Sequence, residues 1–327
     1  MAQTVIQQAP ARVIPKNKKK KLKVLWSQRA LLIMSVPLLL YAILFRYVPI
    51  YGWAIAFQDY KPGKRSIFTG QEWVGFDNFV KLFTGLMGER FIRAFINTIG
   101  QSLLTLVVST IGAIILALMM NEVRSLIFKR IVQNITYMPH FLSWIIVTGM
   151  VSVALALPSS GGFINSLLMS LHIISEPVLF LSEPSYFWGV VAGSNLWKEL
   201  GWNTILYMAA MTAISPDLYE AASIDGAGRY RKMWSITLPS IRPTIIILLI
   251  MNTGWIMSTN FEIPYFLGNG LVAETAETID VFVLRYGYQL GNYSLAVVAG
   301  IFKTIVAIIL VGLANFISGR LGEETLV

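Results

Sequence analysis

Six apolar runs, each long enough to cross a bilayer, constrain this 327-residue chain more than any other feature. About 20 helical residues are needed to cross roughly 30 Å of hydrocarbon. The runs cover residues 30–50, 94–119, 135–157, 186–211, 241–267 and 293–317, the fourth being more polar than the rest. A helix on the surface of a soluble fold is apolar along one stripe only. Six successive runs that are apolar all round therefore predict an all-α membrane protein with six transmembrane helices. Composition agrees. The chain is 55% apolar and only 13% charged, against about 25% charged in ordinary soluble domains.

The placement of lysine and arginine sets the orientation, because cytoplasmic loops carry the excess. Arg12, Lys16, Lys18, Lys19, Lys20, Lys21, Lys23 and Arg29 precede the first run. Arg124, Lys129 and Arg130 follow the second, Arg229, Arg231, Lys232 and Arg242 follow the fourth, and Arg320 follows the sixth. The other side holds Lys61, Lys64, Arg65, Lys81, Arg90 and Arg93 in the first loop and Arg285 in the last. Both termini are thus expected in the cytoplasm, with residues 1–29 as a basic tail and residues 30–327 as the membrane domain. Arg90 and Arg93 fit an amphipathic lead-in to the second span. The net charge of +9 then marks topology and lipid attraction, not nucleic-acid binding. The hydrophilic stretch before the first span and the five spans after it argue against a cleavable signal peptide.

Several chemistries are excluded by what is missing. With no cysteine there is no disulfide framework, thiolate metal site or cysteine nucleophile. With two histidines, His140 and His172, a multi-histidine metal site or a clustered catalytic set is not expected. No catalytic residue and no metal ligand is assigned.

The loop at residues 215–239, between spans four and five, is the most informative segment. Ser215 suits an N-cap, Pro216 the first helical position, and Asp217 and Glu220 the first turn, where acids complement the helix dipole. A short helix is predicted to stop at Gly226 and Gly228, with a second short segment leading to Leu238 and Pro239. Small Ala221 and Ala222 let another surface approach closely. On residues alone, this is equally a capped interfacial helix joining two spans.

Glu220, Ala221, Ala222, Asp225 and Gly226, followed by Ile236, Leu238 and Pro239, resemble the EAA loop of ABC importer permeases. Six spans, cytoplasmic termini and the position between spans four and five also fit that family. Asn195 and Trp197 resemble the maltose-type sugar permeases. The segments PIYGWAIAFQDY, from Pro49 to Tyr60, and WVGFDNF, from Trp73 to Phe79, resemble the branch that takes up oligosaccharides or polysaccharide fragments, including alginate-type permeases. The resemblance implies a type I ABC importer permease in the bacterial cytoplasmic (inner) membrane. Its partners would be a second homologous permease chain, two ATP-binding cassette subunits and an extracytoplasmic solute-binding protein. Glu220, Ala221, Ala222, Asp225 and Gly226 would form the coupling contact with an ATPase. No phosphate-binding P-loop is present in the sequence, so ATP and Mg²⁺ would belong to the partner ATPases, and this chain would be no enzyme and bind no cofactor.

Polar side chains inside spans are costly in lipid and are expected to face protein or water. In span four, Asn195, Glu199 and Trp202 share a helical face, as do Asn252, Trp255 and Thr259 in span five. Ser258, Asn260 and Glu262 lie on the same segment. Aromatic faces stack on sugar rings and amides bond hydroxyls, so Asn195, Glu199, Trp202, Asn252, Trp255 and Ser258 are the candidate saccharide path. Tryptophan at a span end also anchors the interface, and asparagine joins helices. Lys303, central in span six, is expected to pair with Glu199 or Glu262, or else to bind an acidic saccharide. Glu262 is the other candidate intramembrane charge. His140 is expected to be structural, with no titratable groups nearby. Glu274, Glu277 and Asp280 are candidate docking charges in the last outer loop. The competing class is a secondary transporter or channel for small solutes. It predicts inverted repeats and paired intramembrane carboxylates, neither of which is evident.

Overall fold

In the computed structural model the described residues are 28–63, 66–67, 69–258, 261–320 and 322. The lysine run at 18–21, Lys64, Arg65, Thr259 and Asn260 lie outside them. The chain forms two compact units divided between Ala54 and Ile55. In the first, helix α1, Arg29–Ala42, contains Pro37 and passes into a wider turn at Ile43–Tyr47. A 3₁₀ segment, Val48–Phe57, follows, and the division falls within it.

The second unit begins with a two-residue antiparallel pair, β1 (Gln58–Asp59) and β2 (Glu72–Trp73), with Gln58 opposite Trp73. This small departure from an all-helical chain explains the WVGFDNF segment. After β2, Gly75 takes φ +59°, a conformation that favours glycine. The chain then turns into α2, Asp77–Phe83. Buried Asn78 donates to the carbonyls of Ala56 (3.0 Å) and Gln58 (2.9 Å), while the rings of Phe57, Phe76 and Phe79 pack edge-on or tilted against one another around the turn. Ser294, at the start of the last helix, also donates to the Gln58 carbonyl at 2.6 Å.

Helix α3 runs from Gly85 to Glu122, so Arg90 and Arg93 belong to its first turns. The predicted third span is broken. It consists of α4 (Leu126–Tyr137) with a 3₁₀ turn at Met138–Phe141, and α5 (Trp144–Ala154). The two parts bend by 107°. Pro139 and the N-cap Ser143, which accepts from Ile146 N–H, account for the break. Helix α6, Phe163–Ser170, is anchored by buried Asn165, which bonds both the N–H and the carbonyl of Val178. Helix α7 is Pro184–Thr212.

Beyond it come α8 (Pro216–Ile224), α9 (Arg229–Lys232) and α10 (Leu238–Thr253), the last two joined through a wide turn at Met233–Thr237. The fifth run therefore ends at Thr253, not 267. Its remainder is a 3₁₀ turn at Ile256–Ser258 and a separate α11, Glu262–Leu267. Short helices α12 (Ala273–Ala276) and α13 (Ile279–Phe282) precede α14, Tyr293–Arg320. Among the described residues, four helical segments are long and apolar enough to cross a membrane, or five if the bent pair is one span. Helix α7 has the length, but its polar residues keep it out of that set.

The most extensive helix pair in the second unit is α3 against α7. A glycine allows this close approach, since a Cβ at Gly112 would lie 2.6 Å from the Leu196 side chain, and another lets α7 approach α4, where a Cβ at Gly201 would collide with the Thr136 carbonyl. One core joins α3, α13 and α14 through Phe91, Phe282, Ile279, Val298 and Ala299. Another joins α3, α7 and α10 through Ala113, Tyr207, Met211 and Ile241. The chain between α11 and α13 is stitched to α3 and α7. Asn97 donates to the carbonyls of Glu274 and Glu277, and Gln101 and Trp188 both donate to that of Thr275.

Candidate functional site

Three helices carrying polar side chains converge on a cleft of about 250 Å³ in the second unit. Asn195, Asn203 and Tyr207 come from α7, Asn252 from the end of α10, and Trp255 from the turn after it. Helix α3 adds Ser102, Thr105, Ser109 and Thr110, which sequence reasoning missed. None of the described lining residues is charged. Trp255 is 68% exposed, so a large aromatic face is available at the cleft. An uncharged set of hydroxyls and amides beside an aromatic plane suits a ligand with polar edges and apolar faces.

The predicted path divides here. Asn195, Asn252 and Trp255 line the cleft; Glu199, Trp202 and Ser258 are not among its lining residues. Glu199 instead belongs to a second cluster, at the break between α4 and α5. Its carboxylate lies 2.6 Å from His140 Nδ1 and accepts from Lys198 Nζ at 3.0 Å. Lys198, 5% exposed, also donates to the His140 carbonyl at 2.6 Å and sits 5.1 Å above the Trp144 ring. Trp202 stacks on the His140 imidazole with 4.4 Å between centroids and 4° between planes. The expectation that no titratable group lies near His140 is thus corrected. The sequence separates His140 from Lys198 and Glu199 by nearly sixty positions, and only the packing of α7 against the break unites them. Chemically, Lys198 satisfies a carbonyl that the broken helix leaves open, and Glu199 neutralises Lys198.

Lys303 pairs with Asp280, at 2.5 Å, rather than with Glu199 or Glu262. Contacts of Ile279 and Phe282 with the α14 face near Val298 bring α13 against the lysine. Among the described residues Glu262 has no salt-bridge partner. All three candidate docking charges are held within the chain: Asp280 by Lys303, Glu274 by Arg93 (2.8 Å) and Glu277 by Arg285 (3.2 Å). Burial raises the Glu277 carboxyl pKa above its ordinary value of 4.5, against the lowering effect of Arg285, Arg90 and Arg93.

At the other informative segment, Ser215 Oγ caps α8 by accepting from Asp217 N–H at 3.3 Å. Gly226, at φ +77°, closes the helix: Ala227 N–H donates to the Ala222 carbonyl (2.8 Å) and Gly226 N–H to that of Ser223 (3.1 Å). This is the left-handed helix stop expected of glycine. Gly228 is not left-handed but extended, at φ −71°, and begins α9. Lys232 Nζ donates to Ser223 Oγ at 2.6 Å, and the Tyr219 and Thr237 hydroxyls lie 2.9 Å apart, so α8 is braced against the root of α10. Yet no residue of α8 is buried. Glu220, Ala221, Asp225 and Gly226 are exposed and Ala222 is half-buried. Ile224 is 88% exposed, and Leu218, Tyr230 and Trp234 are exposed beside it.

Comparison with known proteins accords with this geometry. A sequence profile described as "binding-protein-dependent transport system inner membrane component" matches residues 109–323. The polygalacturonan/rhamnogalacturonan transport system permease protein YteP of Bacillus subtilis (strain 168) is 41% identical over 325 residues, 98% of each chain. Protein LplB of the same organism is 39% identical over 296 residues, 90% of each chain. A solved chain of a bacterial ABC transporter that imports the acidic polysaccharide alginate superposes with TM-score 0.81 at 38% identity, covering 92% of this chain and 99% of that one. With the profile spanning most of the sequence and these relatives nearly all of it, the chain belongs to the family of binding-protein-dependent transport system inner membrane components.

Proposed function

We propose that this chain is one of two pore-forming permease subunits of an ABC importer for an oligosaccharide or polysaccharide fragment. In this reading it lies in the bacterial inner membrane with six spans. The bent pair α4–α5 counts as one span, α7 as the polar span beside the substrate path, and α10 to α11 as the fifth. The basic tail at residues 1–29 and the C-terminus are cytoplasmic. A second homologous permease completes the pore, a solute-binding protein delivers the saccharide, and two ATP-binding subunits hold the ATP and Mg²⁺. The names of YteP and of the alginate importer support an acidic polysaccharide fragment as the cargo class.

The observation that carries the reading is α8. A nine-residue helix capped at both ends and braced from below, yet with no fully buried residue, is built to be covered by another chain. Glu220 supplies a carboxylate for a basic residue of the ATPase, Ala221 and Ala222 allow close approach, and Asp225 and Gly226 end the helix at the contact. Motion of α8 reaches the cleft through the α8–α10 brace, since the last turn of α10 carries Asn252. Asn195, Asn252 and Trp255 are the saccharide contacts we favour. Glu199 and Trp202 act through His140, by holding the broken span in place.

Reconstitution tests this. Proteoliposomes containing this chain, the partner permease, the ATPase and the binding protein are expected to take up a polygalacturonan fragment only with ATP and only when every partner is present. Uptake that survives omission of the ATPase would favour a secondary transporter or channel and refute the reading.

A further inference from the structure

Hydroxyl side chains inside helices ordinarily bond back to their own backbone. In this chain Thr98 donates to the Ala94 carbonyl, Ser194 to Val190, Thr204 to Leu200 and Thr253 to Leu249, each four residues back. Ser102 and Ser109 break the pattern. Both line the polar cleft, at 3% and 8% exposure, and neither Oγ has a hydrogen-bond partner among the described residues. A buried hydroxyl without a partner is unfavourable, and two on one face of one helix, flanking Thr105, form a pattern. At 1.5 Å per residue they stand about 10 Å apart along α3. Asn195 and Asn203 line the same cleft from α7, and Trp255 lines it from the turn after α10.

We infer that Ser102 and Ser109 form a hydroxyl-binding subsite for the saccharide, a wall supplied by α3 in addition to the α7 and α10 contacts. The inference rests on the saccharide reading above and assigns the subsite a chemistry. With no charged side chain among the described lining residues, it exchanges neutral hydrogen bonds with sugar hydroxyls, each serine able to donate one and accept two. The carboxylates of an acidic fragment are not what it reads.

Two measurements on the assembled complex decide this. First, S102A and S109A remove hydroxyls that hold nothing within the chain, so the thermal stability of each variant is expected to equal or exceed that of the parent. A clear loss of stability in either would show that the hydroxyl is committed to the fold and would overturn the inference. Second, ATP-dependent uptake of a polygalacturonan fragment by the S102A/S109A double variant is expected to show KM raised roughly tenfold or more, as for the loss of two ordinary hydrogen bonds. S102T/S109T, which keeps both hydroxyls, is expected to recover part of the effect. N195A is the control for the broader reading. An unchanged KM in the double variant with a raised KM in N195A overturns the α3 subsite alone. Unchanged KM in both removes the cleft from the path. A parent complex that takes up neither the polygalacturonan fragment nor the alginate pentasaccharide overturns the saccharide assignment and the inference with it.

Discussion

Lys198→Met tests the ionic cluster that holds the broken third span. Methionine keeps most of the side-chain length, so the change removes charge and hydrogen bonding and little volume. The lost contacts are the 3.0 Å bond to Glu199 and the 2.6 Å bond to the His140 carbonyl. The Trp144 ring loses the cation above it as well. The carboxylate left behind matters more than these losses: Glu199, with a side chain only 21% exposed, loses its lysine and has His140 as its remaining partner in the cluster. Removing one member of a buried pair costs about 3–5 kcal/mol, and the partial exposure of Glu199 places this case near about 3 kcal/mol. The Lys198→Met/Glu199→Gln double variant removes both charges and is expected to lose less than the single one, since no carboxylate is left behind without its lysine. Unfolding of detergent-solubilised protein, followed by tryptophan fluorescence, measures the order. An unchanged midpoint in Lys198→Met, or a double variant less stable than the single one, would refute the view that Lys198 and Glu199 neutralise each other at the break.

Two further outcomes follow from the packing and one from the loop charges. Gly201→Ala drives a methyl into the Thr136 carbonyl, and this overpacking is expected to cost about 1–3 kcal/mol. Gly226→Ala, at a glycine with open space around it but φ +77°, is expected to weaken the α8 stop while leaving the membrane core intact. Hydrogen exchange of the Gly226 and Ala227 amides would report this. Glu277 gives a pH dependence. Its carboxyl is raised above 4.5, burial being the largest cause. The native state therefore holds its proton more tightly than the unfolded chain does. The associated stability is complete below pH 4.5 and is lost as pH rises through the folded value. The stability difference between the parent and Glu277→Gln should move against the parent as pH rises from 4.5, and a pH-independent difference would contradict it.

The long elements were legible because apolar content over bilayer length is a strong signal, and α3 and α14 appear where residues 94–119 and 293–317 place them. Two boundaries were not. The third run hides its break because Leu142, Trp144 and Ile145 continue the apolar pattern on both sides of Ser143, and only Pro139 signals it. The fifth run continues apolar through Ile263, Pro264 and Phe266 although the helix stops at Thr253. There the polar pair Asn252 and Thr253 followed by Gly254 was the available cue. Ion-pair partners were illegible for a different reason. Lys303 and Asp280 are 23 residues apart on different helices, and nothing in either local sequence names the other. The α8 loop was the most readable site, since cap, dipole and glycine stop are all local chemistry. Ser102 and Ser109 were passed over because serine in an apolar helix usually bonds backward, and the exception shows only in three dimensions.

On this account the chain transmits the ATPase stroke through α8 to a saccharide path. Glu220→Lys in the assembled complex tests that most directly, because Glu220 is exposed and its replacement disturbs no intrachain ion pair among the described residues. Substrate-stimulated ATP hydrolysis should be abolished while membrane insertion and the thermal stability of the chain stay at parental values. Normal coupled transport by Glu220→Lys would contradict the account.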